Sequence, residues 1–243
     1  MKNKVLFLDF DGVLFDTLKE VYLVNRKLFL GIDLFEEVEK DNYQLYSKYK
    51  YLVYNIWMFY YYNPLLFENV DEKDIPELFS NAILNRDIEK ENEFCAKFLE
   101  TRKDLVLNNY DFWNKLEVPY EFFYGIKELY EKYGINIAVV SKKNKQSIVQ
   151  RFKSYGFDLN PNLVFAREIL DKYSSKGEFM EEYMKQNGFN SAIFVDDNYN
   201  NLKTVQNEKI ENILALWGNS QPGMDGYNQK EAIDKINNYF ISK

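Results

Sequence analysis

The sequence contains no histidine among its 243 residues. A Ser-His-Asp triad, a Cys-His pair, a histidine-ligated zinc site and an imidazole acid or base are therefore excluded. Acid–base chemistry near neutral pH must then come from carboxylates, lysine, tyrosine or cysteine. The single cysteine, Cys95, excludes an intrachain disulfide and a thiolate metal cluster, which fits a reducing compartment.

The sequence also lacks a long apolar run and an excess of basic residues. The longest apolar and aromatic stretch, Tyr51 to Tyr62, is interrupted by Asn55 and is too short to cross a bilayer core of about 30 Å as a helix. A net charge of −7 provides no basic field that would attract a polyanion. We therefore expect a cytoplasmic protein with no membrane or nucleic-acid partner. The expected oligomeric state is a monomer or a homodimer.

Strand patterns occur at the start of the chain and again in its second half. Lys4 to Phe10 is a short, nearly continuous apolar run, as expected for a strand buried on both faces. After Pro119, helical patterns alternate with apolar runs, which predicts parallel βαβ units with right-handed crossovers. The later elements predicted are strands at Ile135 to Val140, Asn162 to Ala166, Ala192 to Val195 and Asn212 to Leu216, and helices that include Asn200 to Glu208 and a terminal one from about Lys230.

Between these two parts lies a segment with helical periodicity only. From about Thr17 to Leu116, apolar residues recur at spacings of three and four, with breaks predicted at Pro64 and Pro76. The sequence therefore predicts an α/β fold with a Rossmann-like parallel sheet core and helices on both faces, formed by residues 1–17 and 118–243. Residues 18–117 are predicted to form an inserted, all-helical cap domain.

Acidic or hydroxyl side chains follow three of the predicted strands. Asp9 and Asp11 follow the first strand, Ser141 follows the second, and Asp196 with Asp197 follows the fourth. Because the carboxyl ends of parallel strands border the ligand crevice of an open sheet, we expect these side chains to share one site. Any one of them alone is explained as well by a helix cap or a turn. Their recurrence at several strand ends favours a functional site.

Carboxylates gathered in this way repel one another unless a cation lies between them. An oxygen ligand set without histidine or cysteine selects Mg²⁺. Water molecules and the phosphate oxygens of the substrate then complete the coordination shell of the ion. Such a site suits phosphoryl transfer, in which one carboxylate attacks phosphorus while another protonates the leaving oxygen and later activates water. The hydroxyl of Ser141 and the backbone N–H groups beside it would hold phosphate oxygens at a helix start.

These residues together resemble the haloacid dehalogenase (HAD) superfamily, on its phosphatase-like branch with a C1-type helical cap. DFDGVLFDT (Asp9 to Thr17) matches the family signature D-x-D-G-x-[TV] except at Leu14. The second motif, IAVVS, ends in Ser141, and the fourth, IFVDD, ends in Asp196 and Asp197. The dehalogenase and phosphonatase branches lack the second aspartate of the first motif, so both are set aside.

The third motif of the family is a lysine at the start of a helix. Lys176 in SSKGEF is the best match, and Lys172 is its competitor. In the family this ammonium neutralises the nucleophile and the phosphoryl oxygens. Many relatives also have an aspartate four positions beyond the metal ligand, where this chain has Asn201, so one outer charge of the family pattern is replaced by a neutral amide.

The resemblance implies a role for each matched residue. Asp9 would be the nucleophile and Asp11 the acid and base, with Lys176 as the third catalytic residue. The metal would be held by Asp9, the backbone carbonyl of Asp11 and Asp197, with Asp196 as an accessory carboxylate. The residues expected to bind phosphate are Gly12, Ser141, Lys142 and Lys176.

The function that follows is an Mg²⁺-dependent phosphatase-type hydrolase of a small phosphorylated metabolite, acting through an aspartyl-phosphate. Two alternatives stay open: a sugar phosphomutase of the same architecture, and a catalytically silent HAD-like binding protein. The cap would select the substrate. Its most unusual stretch, Tyr51 to Asn63, is either an aromatic floor for the substrate or ordinary packing, with Tyr51, Tyr54, Trp57 and Met58 on one predicted helical face. The candidates for anchoring a second anionic group are Arg26, Arg86 and Arg102.

Overall fold

The computed structural model describes residues 3–37, 40–68 and 70–241. The chain divides into two compact units. The sheet unit runs as far as Asp16 and resumes at Val118, and the helical unit is Thr17–Glu117. None of the helices within the described ranges combines the length and the apolar character needed to cross a membrane.

The helical unit, in the residues that the structure describes, consists of helices joined by turns. Its α-helices are α1 (Leu18–Leu30), α2 (Lys40–Tyr49), α3 (Phe59–Phe67), α4 (Ile75–Leu84), α5 (Ile88–Asn108) and α6 (Tyr110–Leu116). Aromatic rings dominate its core: the ring of Tyr46 lies 5.1 Å from that of Tyr22 and 5.4 Å from that of Tyr62, centroid to centroid, and all three residues are fully buried. Much of the aromatic content of the sequence is therefore used to pack helices.

The aromatic stretch from Tyr51 to Asn63 is not the continuous helix that its spacing predicted. Two single 3₁₀ turns, Lys50–Leu52 and Ile56–Met58, are separated by extended backbone, and α3 begins only at Phe59. Tertiary packing overrides the helical period here, because Met58 is buried while Tyr54 is exposed. The four residues predicted to share a helical face therefore do not share one.

The two prolines of the helical unit differ in their effect on helices. Pro64, predicted to mark a break, lies inside α3. A helix accommodates proline at the loss of one backbone hydrogen bond and some bending, and α3 ends soon afterwards at Phe67. Pro76, also predicted to mark a break, lies in the first turn of α4, where proline is tolerated.

The sheet unit contains seven strands in its described residues. They are β1 (Lys4–Leu8), β2 (Phe15–Asp16), β3 (Val118–Pro119), β4 (Ile137–Val140), β5 (Val164–Phe165), β6 (Ser191–Asp196) and β7 (Ile210–Leu214). Five of them form a parallel sheet in the order β5-β4-β1-β6-β7. The predicted parallel α/β fold is confirmed, and β1 lies at its centre because it is apolar on both faces.

Helices cover both faces of this sheet. The remaining helices are α7 (Glu121–Tyr133), α8 (Lys145–Ser154), α9 (Arg167–Leu170), α10 (Lys176–Asn187), α11 (Tyr199–Leu202) and α12 (Gln229–Ile241). One apolar cluster joins residues of α7, α8 and α12 to the sheet, and a second joins residues of α9, α10 and α11 to it. The sheet is therefore buried between two layers, as parallel sheets require.

Some predicted bounds in the sheet unit were wrong. β7 starts and ends two residues earlier than the predicted Asn212 to Leu216. The helix predicted at Asn200 to Glu208 is the single turn α11, because the Thr204 hydroxyl donates to the carbonyl of Asn201 at 2.7 Å and closes the chain into a turn. The short antiparallel pair β2–β3 was not predicted, since two residues show no alternation.

Candidate active site

The carboxyl ends of three neighbouring strands meet at the centre of the sheet. β1 pairs in parallel with β4 on one side and with β6 on the other. Asp9 follows β1, Ser141 follows β4, and Asp196 is the last residue of β6. The chain adds β4 and β5 on one side of β1 and later β6 and β7 on the other side. Open α/β sheets bind ligands at the carboxyl ends of the strands where the strand order reverses in this way.

Three carboxylates are gathered at this point. One oxygen each from Asp9, Asp196 and Asp197 lies within 4.8 Å of the other two, and all three residues are buried. Ser141 is buried as well. It does not cap the helix that follows, because the cap of α8 is Asn144, whose side chain accepts from the N–H of Ser147 at 3.2 Å. The structure therefore brings together the acidic strand ends that the sequence placed far apart.

A buried lysine lies among these carboxylates. Lys176 Nζ is 3.0 Å from Asp9 Oδ2 and 2.7 Å from Asp196 Oδ2. Burial lowers the pKa of this ammonium, but the two carboxylates outweigh burial and raise the pKa above its ordinary value. Lys176 therefore stays charged, whereas its competitor Lys172 is exposed in a turn.

The sequence SSKGE explains why Lys176 reaches the cluster. Ser175 caps α10, since its hydroxyl accepts from the N–H of Glu178 at 3.1 Å, and this fixes Lys176 as the first residue of the helix. Gly177 lets the helix start lie against the neighbouring loop, because an added Cβ would lie 2.2 Å from the carbonyl oxygen of Thr204.

The environment of Asp9 disfavours its charged form. Burial raises its pKa to about 7, Lys176 opposes the shift, and the neighbouring carboxylates add to it. Asp9 Oδ1 also accepts from the N–H of Phe10 at 2.8 Å. A positive ion beside Asp9 would therefore favour the carboxylate that a nucleophile requires.

Asp196 accepts hydrogen bonds on both of its oxygens. Beyond Lys176, it accepts from the amide of Asn201 at 3.0 and 3.1 Å and from the N–H of Asn198 at 2.8 Å. Asn201 thus places a neutral donor where an aspartate was expected from the resemblance. Asp196 is therefore occupied in holding Lys176 and the turn after β6.

Asp197 is held by a loop that the sequence did not indicate. Asn219 donates to Asp197 Oδ2 through its backbone N–H at 2.7 Å and through its side-chain amide at 3.2 Å. Two glycines make room: an added Cβ on Gly12 would lie 1.9 Å from Asp197 Oδ2, and one on Gly218 would lie 2.2 Å from the carbonyl oxygen of Gly12. A turn glycine looks the same in the sequence whatever it contacts, so only Gly12 was predicted, and as a phosphate-binding residue.

Asp11 lies beside the cluster and pairs with a lysine. Lys143 Nζ is 2.9 Å from Asp11 Oδ1. The prediction named the adjacent Lys142 for phosphate binding, and nothing in the spacing separates two consecutive lysines. Partial burial of the Lys142 ammonium, together with repulsion from Lys176, lowers its pKa. Its role stays a prediction.

Solved structures of other proteins share this architecture over nearly the whole chain. A protein from Lactobacillus delbrueckii subsp. bulgaricus with the provisional name phosphoglycolate phosphatase is 15% identical, with a TM-score of 0.60 and 100% of both chains covered. A haloacid dehalogenase-like hydrolase from Streptococcus pneumoniae is 10% identical, with a TM-score of 0.58 and coverage of 96% of this chain and 97% of that one. The chain has the haloacid dehalogenase-like fold. A predicted phosphatase from Clostridium acetobutylicum is also similar, at 17% identity, a TM-score of 0.59 and coverage of 97% and 98%.

The resemblance drawn from the four short motifs is thus confirmed at the level of the haloacid dehalogenase-like fold. No protein-family model and no curated protein sequence matches the chain.

The acidic cluster of Asp9, Asp196 and Asp197 fits a divalent cation. Its donors are carboxylate oxygens, which hard cations such as Mg²⁺ prefer. Three carboxylates and the Lys176 ammonium leave two negative charges to be balanced when Asp9 is ionised. Because Asp196 already accepts from three residues, Asp9 and Asp197 are the better placed ligands.

The three arginines suggested as anion anchors are each engaged within the helical unit. Arg26 donates to the carbonyls of Asp33, Glu36 and Glu37 at 2.7–3.1 Å. Arg86 pairs with Glu91 and stacks 3.9 Å from the ring of Trp57. Arg102 is buried between Glu20, at 2.5 Å, and Glu117, at 3.3 Å. These contacts assign the three side chains to the stability of the helical unit.

Proposed function

We propose that the chain is a phosphatase-type hydrolase that cleaves a small phosphorylated metabolite through an aspartyl-phosphate on Asp9. The observation that carries the proposal is the placement of Asp9 at the centre of the sheet. Its Oδ2 is 3.0 Å from a buried ammonium, and the carboxylates of Asp196 and Asp197 lie beside it. A buried carboxylate flanked by a fixed cation suits attack on an anionic phosphate.

Two displacements at phosphorus would complete the reaction. A carboxylate oxygen of Asp9 attacks phosphorus, and the bond to the leaving oxygen breaks while Asp11 gives that oxygen a proton. Asp11 then takes a proton from water, whose oxygen attacks the phosphorus of the aspartyl-phosphate. The Asp9 carboxylate is released with inorganic phosphate. Atoms and charges balance with water as the co-substrate.

The other residues of the site support these steps. Lys176 would neutralise charge on Asp9 and on the phosphoryl oxygens, and Ser141 with the backbone N–H groups after β4 would hold those oxygens. Asp9, Asp197 and the backbone carbonyl of Asp11 would hold Mg²⁺, which when bound would offset negative charge on the phosphate. Gly12 would let Asp197 approach. A cytoplasmic location and a monomeric or homodimeric state belong to the same proposal.

A generic aryl phosphate tests the proposal. We expect release of inorganic phosphate from 4-nitrophenyl phosphate to require Mg²⁺ and to be abolished by EDTA. Asp9→Asn should lose the activity, whereas Asp158→Asn, which removes an exposed carboxylate of the same unit, should keep it. Metal-independent hydrolysis, or full activity in Asp9→Asn, would contradict the mechanism. A panel of phosphorylated metabolites would then identify the substrate, with phosphoglycolate included because of the provisional names of similar structures.

A further inference from the structure

Lys143 is a buried cation that neither the sequence motifs nor the proposed steps have used. Its side chain is 3% exposed, and its Nζ lies 2.9 Å from Asp11 Oδ1. The Asp11 side chain is 38% exposed, so burial alone does not fix its position. Taking an ammonium out of water is costly unless it is paired. The contact with Asp11 is thus a built feature of the site rather than a chance surface ion pair.

The local fold holds Lys143 firmly. Its backbone N–H donates to Ser141 Oγ at 3.3 Å, and its carbonyl accepts from the N–H of Arg167 at 3.2 Å. Its ammonium lies 5.3 Å from the ring centroid of Phe10, which is fully buried. The lysine is therefore anchored at both its backbone and its ammonium, and it offers Asp11 a fixed partner.

We propose that Lys143 is a positioning residue that holds the Asp11 carboxyl group in the rotamer from which it reaches the leaving oxygen of the substrate. The inference rests on the proposed function, in which Asp11 gives up a proton as the P–O bond breaks. A half-exposed aspartate otherwise samples several staggered rotamers. A group held in the productive geometry transfers a proton more effectively than one that must first find it.

The inference makes a claim about substrates that a purely structural lysine would not. Proton donation matters most when the leaving oxygen is basic, and least when the leaving group is already stable as an anion. Loss of Lys143 should therefore harm poor leaving groups more than good ones. A lysine that only bound phosphate or only stabilised the fold would affect all phosphate monoesters equally.

The test is the dependence of kcat/KM on the leaving group, measured with phosphates of phenols that run from 4-nitrophenol to phenol. For Lys143→Met we expect the loss of kcat/KM to be about tenfold larger for phenyl phosphate than for 4-nitrophenyl phosphate. Lys143→Arg, which keeps a cation, should restore most of the wild-type dependence. Lys142→Met makes the same charge change at the adjacent residue and should leave the slope of the series unchanged.

The variant Asp11→Asn shows the largest change in leaving-group dependence that loss of Lys143 could cause through Asp11. In that background, Lys143→Met should steepen the leaving-group dependence no further, because no acid is left to position. An equal loss across the series, or a further steepening in the Asp11→Asn background, would overturn the inference. If the urea unfolding midpoint shows that Lys143→Met does not fold, the same series of phosphates is measured with Lys143→Gln, and the same results are expected. A wild-type protein inactive on every phenyl phosphate would instead refute the proposed function.

Discussion

Replacing Gly12 with alanine should weaken metal binding although no carboxylate is changed. Gly12 has φ of +78°, and an added Cβ would lie 1.9 Å from Asp197 Oδ2. Ordinary contact begins near 3.4 Å, so the carboxylate would have to retreat by about 1.5 Å. Metal sites tolerate displacements of roughly 0.2 Å. We expect the affinity for Mg²⁺ to fall about 10- to 100-fold, as for other changes that move a ligand indirectly.

The chain offers a matched control for this experiment. Gly223 has φ of +79°, and an added Cβ there would meet nothing within 4 Å. Both alanine variants therefore bear the same left-handed backbone cost of about 1–2 kcal/mol, which urea unfolding of the metal-free Gly223→Ala protein measures by itself. Only Gly12→Ala should lose affinity in a calorimetric titration with Mg²⁺. Equal dissociation constants for Mg²⁺ in the two variants would refute the reasoning, because the close approach of Gly12 to Asp197 would then have no effect on metal binding.

Three further predictions concern charge. Because burial raises the pKa of Asp9 to about 7, a proton competes with the cation below that pH, and the affinity for Mg²⁺ should fall by up to about tenfold per pH unit from pH 7 to pH 6 and below. Lys176→Met leaves Asp9 buried beside other carboxylates, so urea unfolding should show a loss of about 3–5 kcal/mol at pH 8 and a smaller loss at pH 6, where Asp9 is protonated. Arg102→Met leaves Glu20 and Glu117 buried without their cation and should cost about 3–5 kcal/mol by the same measurement.

Each of these three predictions has its own contrary result, and the third also has a matched control. A calorimetric affinity for Mg²⁺ that does not change between pH 6 and pH 8 would contradict the first. A loss in Lys176→Met that is equal at both pH values would contradict the second. For the third, the control is Lys132→Met. The Lys132 ammonium lies 3.9 Å from Glu128 in an exposed pair, so its loss should change the free energy of unfolding far less than the loss of Arg102. Similar losses in Arg102→Met and Lys132→Met would show that burial does not decide the cost.

The strand ends were predictable because two physical rules act on the same residues. An apolar run such as that from Lys4 to Leu8 is typical of a strand buried on both faces of a parallel sheet, and parallel strands place their carboxyl ends together. Asp9 and Asp196 could therefore be placed near one another without coordinates. Lys176 was favoured over Lys172 because Lys-Gly-Glu leading into an apolar-periodic helix resembles the third motif of the family, and the structure places Lys176 at the first position of α10.

The contacts made by loops could not be predicted in the same way. The choice between Lys142 and Lys143 depends on the local turn after β4, and the reach of Asn219 to Asp197 depends on the path of a loop that has no periodicity. The helix predicted for the aromatic stretch around Trp57 was wrong for a different reason. The residues have helical spacing, but packing of their rings interrupts the helix before Phe59. The spacing of apolar residues predicts regular helices and strands, whereas the geometry of turns and the packing of aromatic rings depend on contacts between residues far apart in the sequence.

The short pair β2–β3 has a consequence for how such a chain can diversify. Phe15 lies opposite Pro119 and Asp16 lies opposite Val118, so the two ends of the intervening segment occupy adjoining positions in an antiparallel ladder. Paired positions of this kind are about 5 Å apart, which a tight hairpin turn can bridge. For the parallel sheet, residues 17–117 are therefore one large loop, and the β2–β3 pairing offsets the entropic cost of closing it. Because this ladder holds the two ends side by side, the length of a segment inserted between them need not alter the pairing of β1 with β4 and β6.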